Sequence, residues 1–422
     1  MSLPTEILEA VVKLAREEDH DAAALKNMAL ASTTFRDICQ PLLFQSVMLK
    51  NGPMAGYDKA EPPAFLVRFH DVVMQSPRIA SYVQDLSIWQ CSLPPFGRIV
   101  DREPPVVMMW MLDHPGLLTR ILDALATTRI HAVSVASRRQ VSWTDLDLGL
   151  QRSFFRIFQN PSFRNISLDG ISIPSYFFTN FHTLQSVGVL NSLFLPRTAS
   201  SSMPSNTTTH QISHLTFRVY PDANQYPTPH AMGPIIGIDV SRLTSLDLDL
   251  HIAQLPHLAH FNFFQLKYLT DLRVALSNRA PSPTLDFSGL PKLRRLTLGD
   301  NGFDTSSERI ARALATISTT QCQTLERISV QALISSAGLK DIYSFSFLTP
   351  LAQSLSFLHR QSNNLHSVFH MKVYLGDRDD AQNRNVKAAI LKFLKWEGCE
   401  GVLDVQMERS LEWFHRNRPS AW

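Results

Sequence analysis

Apolar residues near the start of the chain recur three and four positions apart, which is the spacing of one helix face. These residues are Ile7, Leu8, Val11, Val12 and Leu14. Pro4 can occupy the first turn of a helix without losing a hydrogen bond, and Glu6 places negative charge there. The mostly charged run at 16–21 ends the apolar face. The pattern therefore predicts an amphipathic helix that begins around Pro4.

A second apolar segment predicts a helix from about Ala22 to Ser32. Its apolar side chains are short or flexible, which suits close contact between helices: Leu25, Met28, Ala29 and Leu30. Pro41 disfavours the helical conformation for Gln40, so we expect a new short apolar segment to begin at Pro41. Three short helices within about 45 residues bury too little surface to be stable alone. The unit should need a partner or a following domain.

A different pattern begins at residue 83. It is a six-residue unit with apolar residues at its first, fourth and sixth positions. Nine such units start at Val83, Ile130, Phe163, Leu184, Ile212, Leu243, Leu269, Leu293 and Leu325. The last two apolar residues of each unit alternate with a polar position, which predicts a short strand with one buried face. Stacked units would form a parallel sheet. A tenth unit begins at Leu365, but His370 interrupts its alternation.

The segments between these strands predict helices and loops. His114 to Leu125 is the clearest helix, because Pro115 lies near its start and apolar residues follow at helical spacing. Residues 196–209 are rich in Ser and Thr and residues 221–234 in Pro, so both predict long loops. The expected organisation is a helical domain at 1–50, a linker and connecting helix at 51–76, a repeat domain at 77–376 and a C-terminal cap at 377–422.

Composition fits a globular protein, since 44% of the 422 residues are hydrophobic and 18% are charged. The formal net charge is +3 and no long basic run occurs, so we expect no nucleic-acid partner. Four widely separated cysteines predict neither a disulfide framework nor a zinc site. No apolar run is long enough to span a membrane. We expect a soluble protein of the cytoplasm or nucleus with no membrane partner.

Known catalytic arrangements are missing from the sequence. It contains no Gly-x-Ser-x-Gly, phosphate-binding glycine loop or His-Glu-x-x-His. His257 and His260 have a helical spacing that could hold a metal, but two polar positions on a helix flank explain them as well. The acidic run Asp377 to Asp380 fits a solvated loop and helix cap better than a cation site. The expectation is a chain without enzymatic activity, metal or cofactor.

Three N-terminal motifs occur in a fixed order. They are Leu3-Pro4-x-Glu6-Ile7-Leu8, then Ser32-x-x-Phe35-Arg36, then Pro41-Leu42-Leu43-Phe44. In this order and spacing they resemble an F-box, although Phe44 stands where that family usually has tryptophan. An F-box is a non-catalytic docking surface for the Skp-type adaptor of cullin-RING ubiquitin ligases. The resemblance implies adaptor contacts by Leu3, Pro4, Ile7, Leu8, Leu30, Phe35, Pro41, Leu42 and Phe44. An ordinary helical hairpin packed on the rest of the chain is the alternative.

The nine-unit pattern resembles divergent leucine-rich repeats. The resemblance implies an α/β solenoid of parallel strands alternating with helices, with the partner on the face opposite the leucines. Candidate substrate-binding residues on that face are Arg218, Asp247, Asp249, Asp271, Arg273, Arg295 and Arg327. Alternatively, Asp247 and Asp271 pair with Arg273 and Arg295 along the sheet and the charges are only structural.

Together the two resemblances predict the substrate-recognition subunit of a Skp-cullin-F-box ubiquitin ligase. The N-terminal helices would bind the Skp-type adaptor and through it the cullin, and the repeats would bind a target protein. A protein-interaction scaffold with a helical N-terminal cap, without any ligase, is the competing prediction. A hydrolase hidden among loop residues is the third.

Overall fold

A computed structural model of the chain provides the described part of the molecule. It covers residues 5–18, 23–50, 61–90, 110–174, 176–181, 183–190, 192, 194–195, 209–218, 238–251, 266–277, 285–300, 307–317, 319–335, 349–362, 365–374, 384, 387–388, 391–392 and 404–409. Residues 196–208 and 221–234 of the predicted loops, residues 51–60 of the predicted linker, and most of the predicted cap lie outside these residues.

Three helices open the chain. They are α1 Thr5–Glu18, α2 Ala23–Ala31 and α3 Thr33–Phe44. Ser32 caps α3, because its hydroxyl accepts a hydrogen bond of 3.2 Å from the backbone N–H of Phe35. The prediction that Pro41 starts a new segment is wrong, since Pro41 lies inside α3 and Gln40 is helical. Residues before and after Pro41 in α3, among them Cys39 and Leu42, pack in the core of the three helices, and this packing outweighs the hydrogen bond that proline removes.

Fifteen strands follow among the described residues. They are β1 Ser46–Lys50, β2 Asp85–Gln90, β3 Ala132–Ser142, β4 Asn165–Pro174, β5 Ser186–Leu190, β6 Phe194–Leu195, β7 His210–Gln211, β8 His214–Arg218, β9 Ile238–Asp239, β10 Ser245–His251, β11 Asp271–Ser277, β12 Arg295–Asp300, β13 Arg327–Ser335, β14 His366–Tyr374 and β15 Asp404–Arg409. Thirteen form one sheet in the order β1-β2-β3-β4-β5-β8-β10-β11-β12-β13-β14-β15, with β6 beside β4, while β7 and β9 pair separately. The pairs between neighbouring strands are parallel.

The nine predicted strands are confirmed, and each belongs to this sheet. The apolar residue that opens each unit is buried in every case. Two expectations differ from the structure. The sheet begins at Ser46 rather than near residue 77, because β1 pairs with β2. The tenth unit is a full strand despite His370, since β14 pairs with β13 over its whole length.

Helices cover one face of the sheet. They are α4 Ala64–Gln75, α5 Pro77–Tyr82, α6 Trp110–Asp113, α7 Pro115–Ala126, α8 Leu148–Phe158, α9 Ser307–Leu314, α10 Thr319–Cys322 and α11 Thr349–Gln361. The helix α7 confirms the prediction for His114 to Leu125. Leu118, Ile121 and Leu125 of α7 are buried in the same cluster as Leu86 and Val133 of the strands. The molecule is therefore an α/β structure built on one large parallel sheet.

Threonine hydroxyls fix the step from one strand to the next. Thr244 Oγ1 donates to the carbonyl of Ser213 at 3.0 Å, and Thr270 Oγ1 donates to the carbonyl of Thr244 at 3.1 Å. At a different position, in the turn before β13, Thr324 Oγ1 donates to the carbonyl of Leu293 at 3.1 Å. These bonds satisfy carbonyls at the turns and link neighbouring repeats. No helix in the described ranges is long and apolar enough to cross a membrane.

Candidate functional site

The apolar residues of α1 divide into two faces. Val12 is fully buried and Leu8 half-buried, whereas Ile7, Val11 and Leu14 are exposed, Ile7 to 48%. The three exposed residues follow at i, i+4 and i+7, so they lie along one line on the helix. We call Ile7, Val11 and Leu14 the N-terminal stripe. The sequence pattern had placed most of the apolar residues of α1 on a single face.

The small core of the helical segment explains this division. It consists of Val12, Leu25 and Cys39, with Phe35 and Leu42 among the half-buried residues packed against it. So small a core can cover only one face of α1, and the N-terminal stripe remains uncovered. Leu30 of α2 is also exposed, to 79%. Large apolar side chains this exposed are typical of contact surfaces when they cluster.

The predicted adaptor contacts fall into three groups. Ile7 and Leu30 are exposed. Five others are half-buried within the helical segment: Leu8, Phe35, Pro41, Leu42 and Phe44. Leu3 and Pro4 lie outside the described residues. Of these, Phe35 and Leu42 pack against the core of the three helices, so a substitution of either would also disturb the helices.

The helical segment is joined directly to the sheet. Gln45 alone separates α3 from β1, and its carbonyl accepts hydrogen bonds from the N–H groups of Gln84 and Asp85 at 2.9 and 3.0 Å. An ion pair of 3.2 Å links Asp37 of α3 with Arg78 of α5. These contacts set the direction in which α3 leaves the sheet.

The sheet face opposite the helices changes character along its length. On β2 to β5 its middle row is small, because Ser87, Ser134, Ser167 and Gly188 face one another in register. In the same row Asp247 on β10 and Arg273 on β11 replace these small residues, and Thr297 and Ser329 follow on β12 and β13. Their face contains a groove of about 420 Å3, lined mainly by Asp247, Asp271, Arg273, Arg295, Thr297, Arg327, Ser329 and Gln331. We call this the charged groove.

Two aspartates pair with two arginines within the charged groove. Asp247 Oδ2 lies 3.3 Å from Arg273 Nη1, and Asp271 Oδ1 contacts Arg295 Nε. In both pairs the residues are direct partners on neighbouring strands. The predicted pairing of these charges along the sheet is confirmed, which makes Arg273 a largely structural residue. Arg273 and Asp247 are each only 20% exposed, so this pair is shielded from water.

Arg273 also reaches across the neighbouring strand. Its Nη2 donates a hydrogen bond of 3.4 Å to Gln331 Oε1 on β13, with β12 between the two strands. Gly299 of β12 is the register partner of Gln331 and has no side chain to obstruct the contact. The guanidinium therefore lies along the sheet and is held at both ends.

Basic residues occupy one row at the strand starts. Arg295, Arg327 and His366 are consecutive register partners on β12, β13 and β14, and all three are exposed. Asp271 pairs with Arg295. The side chain of Arg327 has no ion pair or hydrogen bond with any residue that the structure describes. Like charges opposite each other on neighbouring strands are unfavourable, and Arg327 has no carboxylate partner among the described residues to offset this.

The remaining candidate residues lie largely outside the described part of the structure. Arg218 and Asp249 belong to β8 and β10, but their side chains lie outside the described residues, as do His257, His260 and the run Asp377 to Asp380. No group of three potential metal ligands occurs among the residues that are described. Cys39 and Cys322 are free and buried, and burial raises the pKa of both thiols.

Neither surface can be interpreted through a relative. No protein-family model matches the chain, and the searches of curated proteins and of solved structures found no significant match.

Proposed function

We propose that this chain is the substrate-recognition subunit of a Skp-cullin-F-box ubiquitin ligase. In this proposal α1 to α3 form an F-box that docks on the Skp-type adaptor, and the sheet with its helices forms an irregular leucine-rich-repeat solenoid that holds the target protein. The chain itself is non-catalytic, and ubiquitin transfer takes place on other subunits. No metal or cofactor takes part.

One observation carries the proposal: the helical segment leaves the N-terminal stripe and Leu30 exposed while its small core is already filled. Ile7 and Leu30 are among the residues that the F-box resemblance assigns to the adaptor. An apolar helix face in this position supports a protein partner, because water is an unfavourable environment for it.

The free energies of burial and association limit how the adaptor can bind. Burying four half-exposed side chains contributes roughly 3 to 6 kcal/mol, if complete burial of each contributes about 1.5 to 3 kcal/mol. Association costs about 4 to 15 kcal/mol in lost rigid-body freedom and side-chain ordering. The N-terminal stripe and Leu30 are therefore insufficient alone. We expect further contacts from the half-buried Pro41, Leu42 and Phe44, as the F-box resemblance implies.

The competing function is a scaffold in which the helical segment merely caps the sheet. The direct connection of α3 to β1 and the Asp37–Arg78 ion pair favour this alternative, because a cap needs such contacts. A cap does not explain the N-terminal stripe, which faces away from the small core. The ligase proposal accounts for both features.

Capture of the full chain by an immobilised, purified Skp-type adaptor separates the two functions. The ligase proposal predicts capture of the wild type and its loss with Ile7→Asp plus Leu30→Asp. Both residues are exposed, so these changes leave the small core intact, whereas Leu42→Asp would disrupt it. Phe357→Asp is the matched control, since Phe357 is 54% exposed on α11 at the other end of the sheet. Failure of the wild type to be captured favours the scaffold.

A further inference from the structure

We propose that the charged groove binds a carboxylate side chain of an acidic peptide segment, and that Arg327 is its main partner. This inference rests on the proposed function, because the segment would belong to the target protein. It adds the chemistry of the target, which the leucine-rich-repeat resemblance does not specify.

The ion pairs inside the groove single out Arg327. Arg273 is held by Asp247 and Gln331, and Arg295 is held by Asp271. Neither guanidinium is available without breaking an existing contact. The side chain of Arg327 is exposed and makes no ion pair or hydrogen bond within the described part of the chain. It is therefore the groove arginine that can accept an external anion at no internal cost.

The position of Arg327 also favours an anion. Its register partners are Arg295 on one side and His366 on the other, and neighbouring strands lie only about 4.8 Å apart. Like charges at this separation repel each other. A carboxylate bound by Arg327 would reduce this repulsion and add a charge-assisted contact, while Arg295 keeps its pair with Asp271.

The charge and donors of the groove favour a carboxylate over a phosphate. Its lining contains three arginines and two aspartates, so the net charge is three minus two, or +1. A single carboxylate neutralises this charge, whereas a doubly charged phosphate would leave the groove negative and close to Asp247 and Asp271. The hydroxyls of Thr297 and Ser329 lie one row further along the same strands and can donate to the peptide.

Fluorescence anisotropy of the full chain with a labelled tetraglutamate peptide tests this inference. The controls are tetraglutamine, which has the same length without charge, and a peptide with phosphoserine in place of each glutamate. We expect tetraglutamate to bind at least about tenfold more tightly than tetraglutamine, because a charge-assisted hydrogen bond contributes about 1.5 to 3 kcal/mol. Equal affinity for the two would overturn the inference. Tighter binding of the phosphoserine peptide would overturn the preference for a carboxylate.

Two arginine variants locate the site. Arg327→Gln should reduce tetraglutamate binding about tenfold, while Arg360→Gln should leave it unchanged, because Arg360 is an exposed arginine on α11 outside the groove. An equal loss in both variants would indicate unspecific charge attraction. Arg327→Gln should still be captured by the Skp-type adaptor, and Ile7→Asp plus Leu30→Asp should still bind tetraglutamate. The two proposals therefore fail separately.

Discussion

Asp247 and Arg273 face each other on neighbouring strands, with 3.3 Å between Asp247 Oδ2 and Arg273 Nη1. Each side chain is only 20% exposed, and Gln331 holds the other end of the guanidinium. These contacts show which charged side chains on this face of the sheet are already engaged with other residues of the sheet. Arg273 is engaged within the sheet, whereas the side chain of Arg327 has no ion pair or hydrogen bond among the described residues.

The Asp247–Arg273 pair should contribute measurably to stability. Arg273→Met leaves the shielded carboxylate of Asp247 without its cation, so we expect the free energy of unfolding to fall by about 1 to 3 kcal/mol. Urea denaturation measures this change. Adding Asp247→Leu to Arg273→Met should restore most of the loss, because both charges are then removed together. Arg327→Met is the control and should change stability by less than about 0.5 kcal/mol. An unchanged Arg273→Met variant would contradict the structural role.

Pro41 should destabilise α3 while contributing to binding of the adaptor. Its position inside α3 removes the backbone donor that would bond to the carbonyl of Asp37. Pro41→Ala should therefore stabilise α3 by about 1 to 3 kcal/mol, measured by hydrogen exchange of the amides in this helix. The same variant should bind the Skp-type adaptor more weakly, since the F-box resemblance places Pro41 at the contact. Gln40→Ala provides the comparison. Less protection of α3 in Pro41→Ala than in wild type would refute the first part.

Asp85 should make stability depend on pH in a specific direction. Burial raises the pKa of Asp85 above its ordinary value, and the nearby charge of His131 opposes this only in part. The folded chain then holds the proton more tightly than the unfolded chain. The contribution of Asp85 to stability accordingly falls as pH rises through the interval between the unfolded pKa and the raised folded pKa.

Asp85→Asn removes the destabilisation that the buried carboxylate causes, so the variant tests this prediction. The variant should be more stable than wild type at neutral pH, and the difference should disappear below about pH 3.9, the ordinary pKa of an aspartate. Denaturation at several pH values records both. Asp145→Asn, at an exposed aspartate, controls for the loss of one negative charge. A variant less stable than wild type at neutral pH would show that the charged carboxylate of Asp85 stabilises the folded chain.

Much of the sheet was predictable because its strands repeat one local rule. Leu246 and Leu248 point into the core and Asp247 points away, and this alternation is visible in the sequence alone. The same rule failed at His370, because an interrupted alternation does not prevent a strand whose two neighbours supply its backbone partners. Likewise, Pro41 would mark a helix boundary only if local conformational preference outweighed packing, and in α3 packing prevails.

The sites were less predictable because they depend on distant residues. The pairing of Asp247 with Arg273 followed from strand register, but the bond from Arg273 to Gln331 joins residues 58 positions apart. Gly299, on the strand between them, adds no side chain that would lie in the way. Similarly, the apolar residues of α1 do not reveal which face the small core covers. Packing decides that Val12 turns inward and that Ile7 stays exposed.

Titration calorimetry of the full chain with a purified Skp-type adaptor tests the central claim most directly. The account predicts saturable binding with a negative heat-capacity change, because the N-terminal stripe and Leu30 leave water. Ile7→Asp plus Leu30→Asp should weaken this binding by at least about a hundredfold, as burial of two charges opposes association. Phe357→Asp should bind like wild type. No heat of binding for the wild type, or equal affinity of the double variant, would contradict the claim that these helices dock on the adaptor.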